Sequence, residues 1–169
     1  MAADRTILVK PDGTLHVGDK HFQCALGRGG MIHQKKEGDG GTPIGAFPVR
    51  RVLYRADRLD RPQTYLPVAA IAEIDGWCDD PSKPDYNQQI SFPFDGSAEH
   101  LWRDDHLYDV IVVLGHNDEP IIAGNGSAIF MHVAKPDYSP TEGCVALALD
   151  DLLTVLKDCS PDTTIRIGD

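Results

Sequence analysis

Short, β-branched apolar segments recur along the whole chain and are interrupted by glycine and proline. The sequence has 169 residues, of which 16 are glycine and 12 are proline. Apolar runs of this length, bounded by turn-forming residues, are typical of strands rather than of helices. We therefore expect a mainly β domain. Its predicted strands lie in segments 6–10, 44–54, 66–74, 109–115, 127–134 and 164–168.

Turn chemistry marks two places where neighbouring strands would join. The stretches "PDGT" at 11–14 and "GNGS" at 124–127 predict hairpin-type turns. Residues 75–106 are the least regular part of the chain, with three prolines, both tryptophans and many charges. An irregular segment of this length is typical of a functional loop or a lid.

One segment near the C-terminal end has helical spacing. Asp150 or Asp151 is suited to cap its first turn, and Pro161 prevents its continuation. We expect one or two short helices, one of them directly after the segment that contains Cys144. The apolar positions at helical spacing are Leu152, Leu153 and Leu156.

The charge balance argues against several classes of partner. The chain has 16 Lys and Arg against 26 Asp and Glu, a formal net charge of −10 at pH 7, so we expect no nucleic-acid partner. Its longest apolar run is too short to cross a membrane, and the N-terminal residues lack the pattern of a secretory signal. We expect one domain over residues 1–169 that acts as a monomer without membrane insertion.

The four cysteines give no sign of a zinc site or a disulfide scaffold. None lies in a Cys-x-x-Cys pair, and Asp79 and Asp80 have no neighbours that would complete a metal site. Reduced thiols are the expected state, with pairing of Cys24, Cys78 or Cys159 left open.

The stretch "FMHVAKPDYSPTEGCVALALDD" suggests a nucleophilic thiol. Such a thiol needs a base, partial access and donors for an oxyanion. His132 ends an apolar run, so a strand would fix its ring. Gly143 allows unusual backbone dihedrals beside Cys144, and the amides of both residues are candidate oxyanion donors. The alternative is a structural thiol beside a core histidine.

The same stretch resembles the signature of the YkuD-type L,D-transpeptidases, in which a strand-end His and a variable loop precede Ser/Thr-x-Gly-Cys. A second segment, "GDGGTPIGAFPV", resembles the family's Thr-Pro-x-Gly-x-Phe motif. The resemblance implies a YkuD-like fold, a β-sandwich or mixed-sheet arrangement with a helix after Cys144. The residues that carry the second motif are Thr42, Pro43, Gly45 and Phe47.

The resemblance also implies a mechanism. Cys144 would attack a carbonyl of a peptidoglycan stem peptide and form a thioester. His132 would act as base and then as acid, oriented by a backbone carbonyl near Val133. An amine of a neighbouring stem would take the acyl group, whereas water would make the site a carboxypeptidase. No metal or organic cofactor is needed.

Two departures from the family pattern bear on substrate choice. Glu142 replaces a common His, and Ala146 replaces a common Arg. The chain resembles a short, proline-rich, signal-less proteobacterial branch associated with 1,3-type links, from L-Ala at position one to the diamino acid at position three. Other short members are cytosolic L,D-carboxypeptidases of wall recycling. The family acts in the cell envelope, and the cytosol is the alternative location.

Further side chains are candidates for substrate contact. His116 precedes a turn where relatives often have Tyr, and Arg28 lies between glycines and is suited to bind a carboxylate. Trp77 belongs to the irregular segment and would form a wall of the cleft, as would Tyr86 and Arg103, whereas Trp102 is expected in the core. The alternatives are solvated turn residues and core aromatics. The predicted substrate-binding residues are His116, Thr141, Glu142, Tyr138, Arg28 and Trp77.

Overall fold

A computed structural model describes residues 6–168 of the chain. These residues form fourteen strands and one helix, in agreement with the predicted mainly β class. In chain order they are β1 (Thr6–Lys10), β2 (Thr14–Val17), β3 (Lys20–Gln23), β4 (Met31–Ile32), β5 (Thr42–Pro43), β6 (Gly45–Tyr54), β7 (Val68–Ala70), β8 (Asp75–Cys78), β9 (Gln89–Ser91), β10 (Ala98–His100), β11 (Val110–Leu114), β12 (Phe130–Val133), β13 (Val145–Leu147), α1 (Leu149–Leu156) and β14 (Thr164–Ile167).

The strands form one large mixed sheet and two small ones. The large sheet has the order β13-β12-β11-β6-β14-β1-β2-β3, and β7 pairs with β6. The pairs β12–β13, β1–β14 and β6–β7 are parallel, whereas the others in this sheet are antiparallel. β8, β9 and β10 form a three-stranded sheet, and β4 and β5 form a two-stranded one. The predicted mixed-sheet fold is confirmed.

The central strands bury both faces, because each face packs against a different cluster. On β11, Val112 belongs to a core that includes Leu152 and Leu156 of α1. Its neighbour Ile111 points the other way, into a cluster with Trp77 of the three-stranded sheet. Alternate side chains of a strand lie on opposite faces, so α1 covers one side of the large sheet and the irregular segment covers the other.

Two local predictions are wrong. The segment 66–74 forms a strand only over Val68–Ala70, because the carboxylate of Asp75 accepts the amide hydrogen of Ala72 and closes a turn. The stretch 124–127 is not a hairpin turn. It belongs to a longer connection between β11 and β12, in which the side chain of Asn117 binds the backbone of Ile122 and Gly126. The hairpin at 11–14 is confirmed.

The predicted helix after the Cys144 segment is present, but its cap is not an aspartate. α1 begins at Leu149, and its N-cap residue, Ala148, makes no side-chain capping hydrogen bond. Asp150 and Asp151 lie within the first turn, where a negative charge interacts favourably with the free amide groups of the helix end. The helix begins earlier than the charge pattern indicated, because Leu149 also packs against the core.

All four cysteines are free and buried. Cys24 and Cys159 belong to the core that α1 covers, which agrees with a structural role. Within residues 6–168, no helix has the length and apolar character needed to cross a membrane. The same residues contain no cluster of three or more His, Cys, Asp or Glu side chains arranged to hold a metal ion.

Truncating the buried face of α1 should destabilise the protein. Leu152 is fully buried, so Leu152→Ala should lower the free energy of unfolding by about 2–5 kcal/mol. Leu153, on the same helix, is only partly buried, and Leu153→Ala should cost less. Urea denaturation followed by circular dichroism gives both values. Equal losses for the two variants would contradict this packing of α1.

Candidate active site

Thr141 folds the turn that presents Cys144. Its hydroxyl donates a hydrogen bond to the carbonyl of Cys144 at 2.7 Å and accepts one from the amide of Gly143 at 3.1 Å. Cys144 then comes directly before β13. The amide of Gly143, predicted as an oxyanion donor, is therefore engaged with Thr141. That this amide stabilises an oxyanion stays a prediction. To do so, the amide must share or release its hydrogen bond with the Thr141 hydroxyl.

Gly143 is a glycine because both its backbone and its surroundings leave no room for a side chain. Its φ is +134°, and a Cβ atom would lie 2.7 Å from the carbonyl oxygen of Gly41. The surroundings of Gly27 also leave no room for a side chain, since a Cβ there would overlap the carbonyl oxygen of Gly40 and lie 2.9 Å from the Cα of Gly143. Thr42 supports this contact through its hydroxyl, which accepts the amide hydrogen of Gly27 at 2.8 Å. The upstream motif thus packs directly beneath the Cys144 turn.

The thiol of Cys144 is held by the backbone of the neighbouring segment. It donates to the carbonyl of Ala128 at 3.2 Å and accepts from the amide of Phe130 at 3.4 Å. The residue is 8% exposed. Burial raises the pKa of the Cys144 thiol to about 12, although the hydrogen bond from Phe130 acts in the opposite direction. In this state Cys144 is a neutral thiol.

His132 lies on β12, beside the strand that follows Cys144. β12 and β13 pair in parallel, and His132 is opposite Ala146. Its Nδ1 lies 2.9 Å from the carbonyl oxygen of Val133, so Nδ1 carries the hydrogen and Nε2 has a free lone pair. The contact predicted near Val133 is therefore present. Burial lowers the pKa of His132 to about 4, so the ring is a neutral base.

Cys144 and His132 line the same cavity, of about 520 Å³. Part of its wall comes from the irregular segment. Of the wall residues predicted there, Arg103 lines the cavity, whereas Trp77 and Tyr86 do not, and Trp102 does not line it either. Other parts come from the loop before Cys144, including Thr141 and Glu142. The side chains that matter most for its chemistry are Cys144, His132, Ala146, Glu99, Arg103 and Tyr108.

The other predicted substrate contacts are dispersed. Arg28 binds Glu142 through Nε at 2.9 Å, and both side chains are largely exposed. His116 lies in a neighbouring cavity of about 340 Å³, where its ring packs edge-on against Phe47 with centroids 5.3 Å apart. Burial lowers the pKa of His116 to about 4. The structure brings neither Arg28 nor His116 into the Cys144 cavity, and their contact with substrate stays a prediction.

Two aromatic candidates are also placed outside the cavity lining. Tyr138 is half-buried in the loop before Cys144. Trp77 is buried against Phe130, and its indole donates to the side chain of Asn87 at 3.0 Å. The same oxygen of Asn87 accepts the amide of Ala128, whose carbonyl binds the Cys144 thiol. Trp77 thus supports the site from behind, and its direct contact with substrate stays a prediction.

Sequence reasoning missed Glu99 and Tyr108. The ring of Tyr108 packs edge-on against His132, with centroids 5.3 Å apart, and its hydroxyl donates to Glu99. Arg103, which was expected at the cleft wall, lies over the Tyr108 ring at 5.2 Å. No periodicity or motif in the sequence predicts Glu99 as a cavity residue, because its position in the cavity depends on the pairing of β10 with β8. The irregular composition of residues 75–106 was the one sequence feature that indicated a functional segment in this part of the chain.

Comparison with known proteins shows the family of the chain. The family model for the YkuD L,D-transpeptidase catalytic domain matches residues 2–167. The chain belongs to the YkuD-type L,D-transpeptidase family. A search of curated proteins returned no match.

Solved structures with a similar arrangement include two L,D-transpeptidases from Mycobacterium tuberculosis. L,D-transpeptidase 1 is 12% identical with a TM-score of 0.45, and the match covers 99% of this chain and 60% of the other. L,D-transpeptidase 3, solved in complex with a faropenem-derived adduct, is 13% identical with a TM-score of 0.46, covering 97% and 60%. This YkuD-type chain therefore spans about 60% of the length of either structure.

The pKa of His132 sets the expected pH dependence. A base must be neutral to accept a proton, and the pKa of His132 is lowered to about 4. The acid limb of kcat/KM should therefore fall as pH drops through about 4, well below the ordinary histidine value of about 6.5. Initial rates between about pH 3 and pH 8 test this, with circular dichroism at each pH to exclude unfolding. An acid limb near 6.5 would contradict a buried neutral base.

Proposed function

We propose that this protein is a cysteine L,D-transpeptidase that cross-links peptidoglycan stem peptides through a thioester on Cys144. The observation that carries the proposal is the shared cavity of Cys144 and His132. His132 presents a free Nε2 there because Nδ1 is bound to Val133. A buried thiol beside a neutral imidazole is suited to attack a carbonyl as its proton leaves.

The first half-reaction forms the thioester. Nε2 of His132 takes the proton of the Cys144 thiol as the sulfur attacks the donor carbonyl. The tetrahedral intermediate collapses, the carbon–nitrogen bond breaks, and His132 returns the proton to the leaving amine. Since the resting thiol donates to Ala128, it must turn from that carbonyl toward the imidazole when substrate enters.

The second half-reaction transfers the acyl group to an amine of a neighbouring stem. The amine nitrogen attacks the thioester carbonyl, His132 takes its proton, and the proton passes to the departing sulfur of Cys144. The product is an amide, and the thiol is restored. Water in place of the amine would give a carboxylic acid, so exclusion of water from the cavity favours cross-linking.

We propose 1,3-type links, from L-Ala at position one to the diamino acid at position three. What supports this is Ala146, which lines the cavity opposite His132 where many relatives have Arg. A methyl group provides no guanidinium to hold a donor carboxylate, so a different donor is favoured. The alternative is that Cys144 and His132 catalyse hydrolysis, as an L,D-carboxypeptidase of peptidoglycan recycling. If the test below shows hydrolysis, that function replaces this proposal.

We further propose that residues 1–169 act as one catalytic domain, as a monomer, on peptidoglycan in the cell envelope. The large sheet supports this because it joins β1 to β14, and the family model spans nearly the same residues. Envelope location follows the family, with the cytosol as the alternative that goes with the carboxypeptidase reaction.

Removal of the nucleophile should abolish cross-linking. Purified peptidoglycan incubated with wild-type protein should yield muropeptide dimers whose linkage is read by tandem mass spectrometry, and Cys144→Ala should yield none. Cys159→Ala is the matched control, because burial also raises the pKa of this thiol to about 12 but the residue lies outside the cavity. Free D-Ala without dimers would instead indicate a carboxypeptidase, and unchanged muropeptides with an unreactive Cys144 would refute both reactions.

Loss of the imidazole should slow the reaction without preventing substrate binding. His132→Ala should lower kcat by about 10²–10⁴-fold, since both thiol deprotonation and protonation of the leaving group depend on it. Rates of acyl-enzyme formation, followed by intact-protein mass spectrometry, test this directly. A His132→Ala variant with the wild-type rate would remove His132 from the mechanism.

A further inference from the structure

Glu99 is one of four acidic side chains that line the active-site cavity, with Glu37, Asp79 and Glu142, and the mechanism above uses none of them. Of these four, Glu99 is the one whose charge acts on the Cys144 thiol. It lies in the middle of β10, where pairing with Trp77 of β8 directs it toward the Cys144 cavity. The side chain is only partly exposed, and it lines the same wall as Tyr108 and Arg103. A carboxyl group this close to a nucleophile is costly to bury and calls for a partner.

No cation of the described residues forms a salt bridge with Glu99. Its hydrogen-bonding partner is the neutral hydroxyl of Tyr108. Arg103 lies nearby, but its guanidinium makes two hydrogen bonds to Asp105, at 2.9 and 2.6 Å. Lys35, another cation of the cavity wall, is bound to Asp39. Arg103 and Lys35 are thus matched with their own carboxylates, and the third cation of the cavity wall, Lys135, is exposed and forms no salt bridge with any described residue.

The charge of Glu99 acts on the nucleophile. It contributes to raising the pKa of Cys144, after the larger effect of burial. Burial also raises the pKa of Glu99, although the hydrogen bond from Tyr108 and the charge of Arg103 act in the opposite direction, and the charges of Asp79 and Glu37 add smaller increases. The negative charge of an ionised Glu99 therefore disfavours formation of the Cys144 thiolate. A positive charge bound beside Glu99 would offset this electrostatic repulsion.

We infer that Glu99 binds the ammonium group of the acceptor and positions its nitrogen beside the Cys144 thioester. This assignment rests on the proposed transfer function, because water as acceptor would need no such group. Glu99 accordingly determines which nucleophile the acyl-enzyme accepts. It selects a primary amine that is protonated in solution, and the class of acceptor is an aliphatic amine carried on a peptide.

Protons balance through Glu99 and His132. The bound ammonium gives one proton to the carboxylate of Glu99, which leaves a neutral amine. The amine attacks the thioester carbonyl, its second proton passes to Nε2 of His132, and His132 delivers that proton to the sulfur of Cys144 as the carbon–sulfur bond breaks. Glu99, now neutral, no longer opposes the departing thiolate, and it releases its proton to water when the product leaves.

The test compares two nucleophiles on the same acyl-enzyme. Muropeptide monomers serve as donor, Nα-acetyl-lysinamide as the ammonium acceptor, and acetohydrazide as an acceptor that is neutral at pH 7. In Glu99→Gln, Tyr108 keeps an oxygen to donate to, so the cavity shape is preserved. Glu73→Gln, at an exposed position outside the cavity, controls for the change in net charge.

We expect Glu99→Gln to form the acyl-enzyme within about twofold of the wild-type rate, as seen by intact-protein mass spectrometry. The lysinamide concentration that gives half-maximal transfer should rise at least tenfold, whereas that of acetohydrazide should change less than twofold. Glu73→Gln should match wild type with both. Equal changes for the two nucleophiles, no change for either, or loss of acyl-enzyme formation would each overturn the assignment.

A second measurement uses wild-type protein alone and does not depend on the folding of a variant. Nα-acetyl-Nε-trimethyl-lysinamide keeps the positive charge but cannot attack a carbonyl. It should inhibit transfer to lysinamide competitively, whereas Nα-acetyl-norleucinamide, which lacks the charge, should not. Equal inhibition by the two would overturn the assignment. Absence of any wild-type acyl-enzyme, recorded before amine is added, would instead refute the proposed function itself.

Discussion

The parallel pairing of β12 with β13 is the constraint on which the site depends. It places His132 opposite Ala146 and brings the amide of Phe130 to the sulfur of Cys144. Because β12 and β13 run in the same direction, the chain must return from the end of β12 to the level at which β12 begins before β13 can start. The loop between these strands makes this return, and its last turn is folded around Thr141. Backbone hydrogen bonds therefore set the positions of His132 and Cys144.

Burial then decides the chemistry of the pair. The same enclosure that excludes water lowers the pKa of His132 and raises that of Cys144, so the resting site is neutral rather than an ion pair. A neutral thiol is protected from solution oxidants and becomes nucleophilic only when a substrate brings its carbonyl within reach. The negative charge of Glu99 further favours the protonated thiol of Cys144 over the thiolate. A cationic acceptor bound beside Glu99 would offset this effect.

The parts of the fold that could be read from sequence are those with local causes. Short apolar runs with Gly and Pro boundaries located six of the fourteen strands of the described residues, and leucine spacing located the helix. The failures were also local in origin: Asp75 closed a strand early, and Asn117 organised a long connection in place of a tight turn. Each of these depends on a side chain binding the backbone, an effect that composition and periodicity do not contain.

Residue type and spacing along one strand–loop–strand segment predicted Cys144, His132 and Gly143 as candidate site residues, and the resemblance of that segment to the YkuD-type signature implied the roles of nucleophile and base. The surroundings of these residues depend instead on tertiary contacts. Glu99 reaches the cavity through the pairing of β10 with β8, and Trp77 supports Ala128 through Asn87. These contacts join segments far apart in the chain, so their geometry exists only once the two faces of the large sheet are packed.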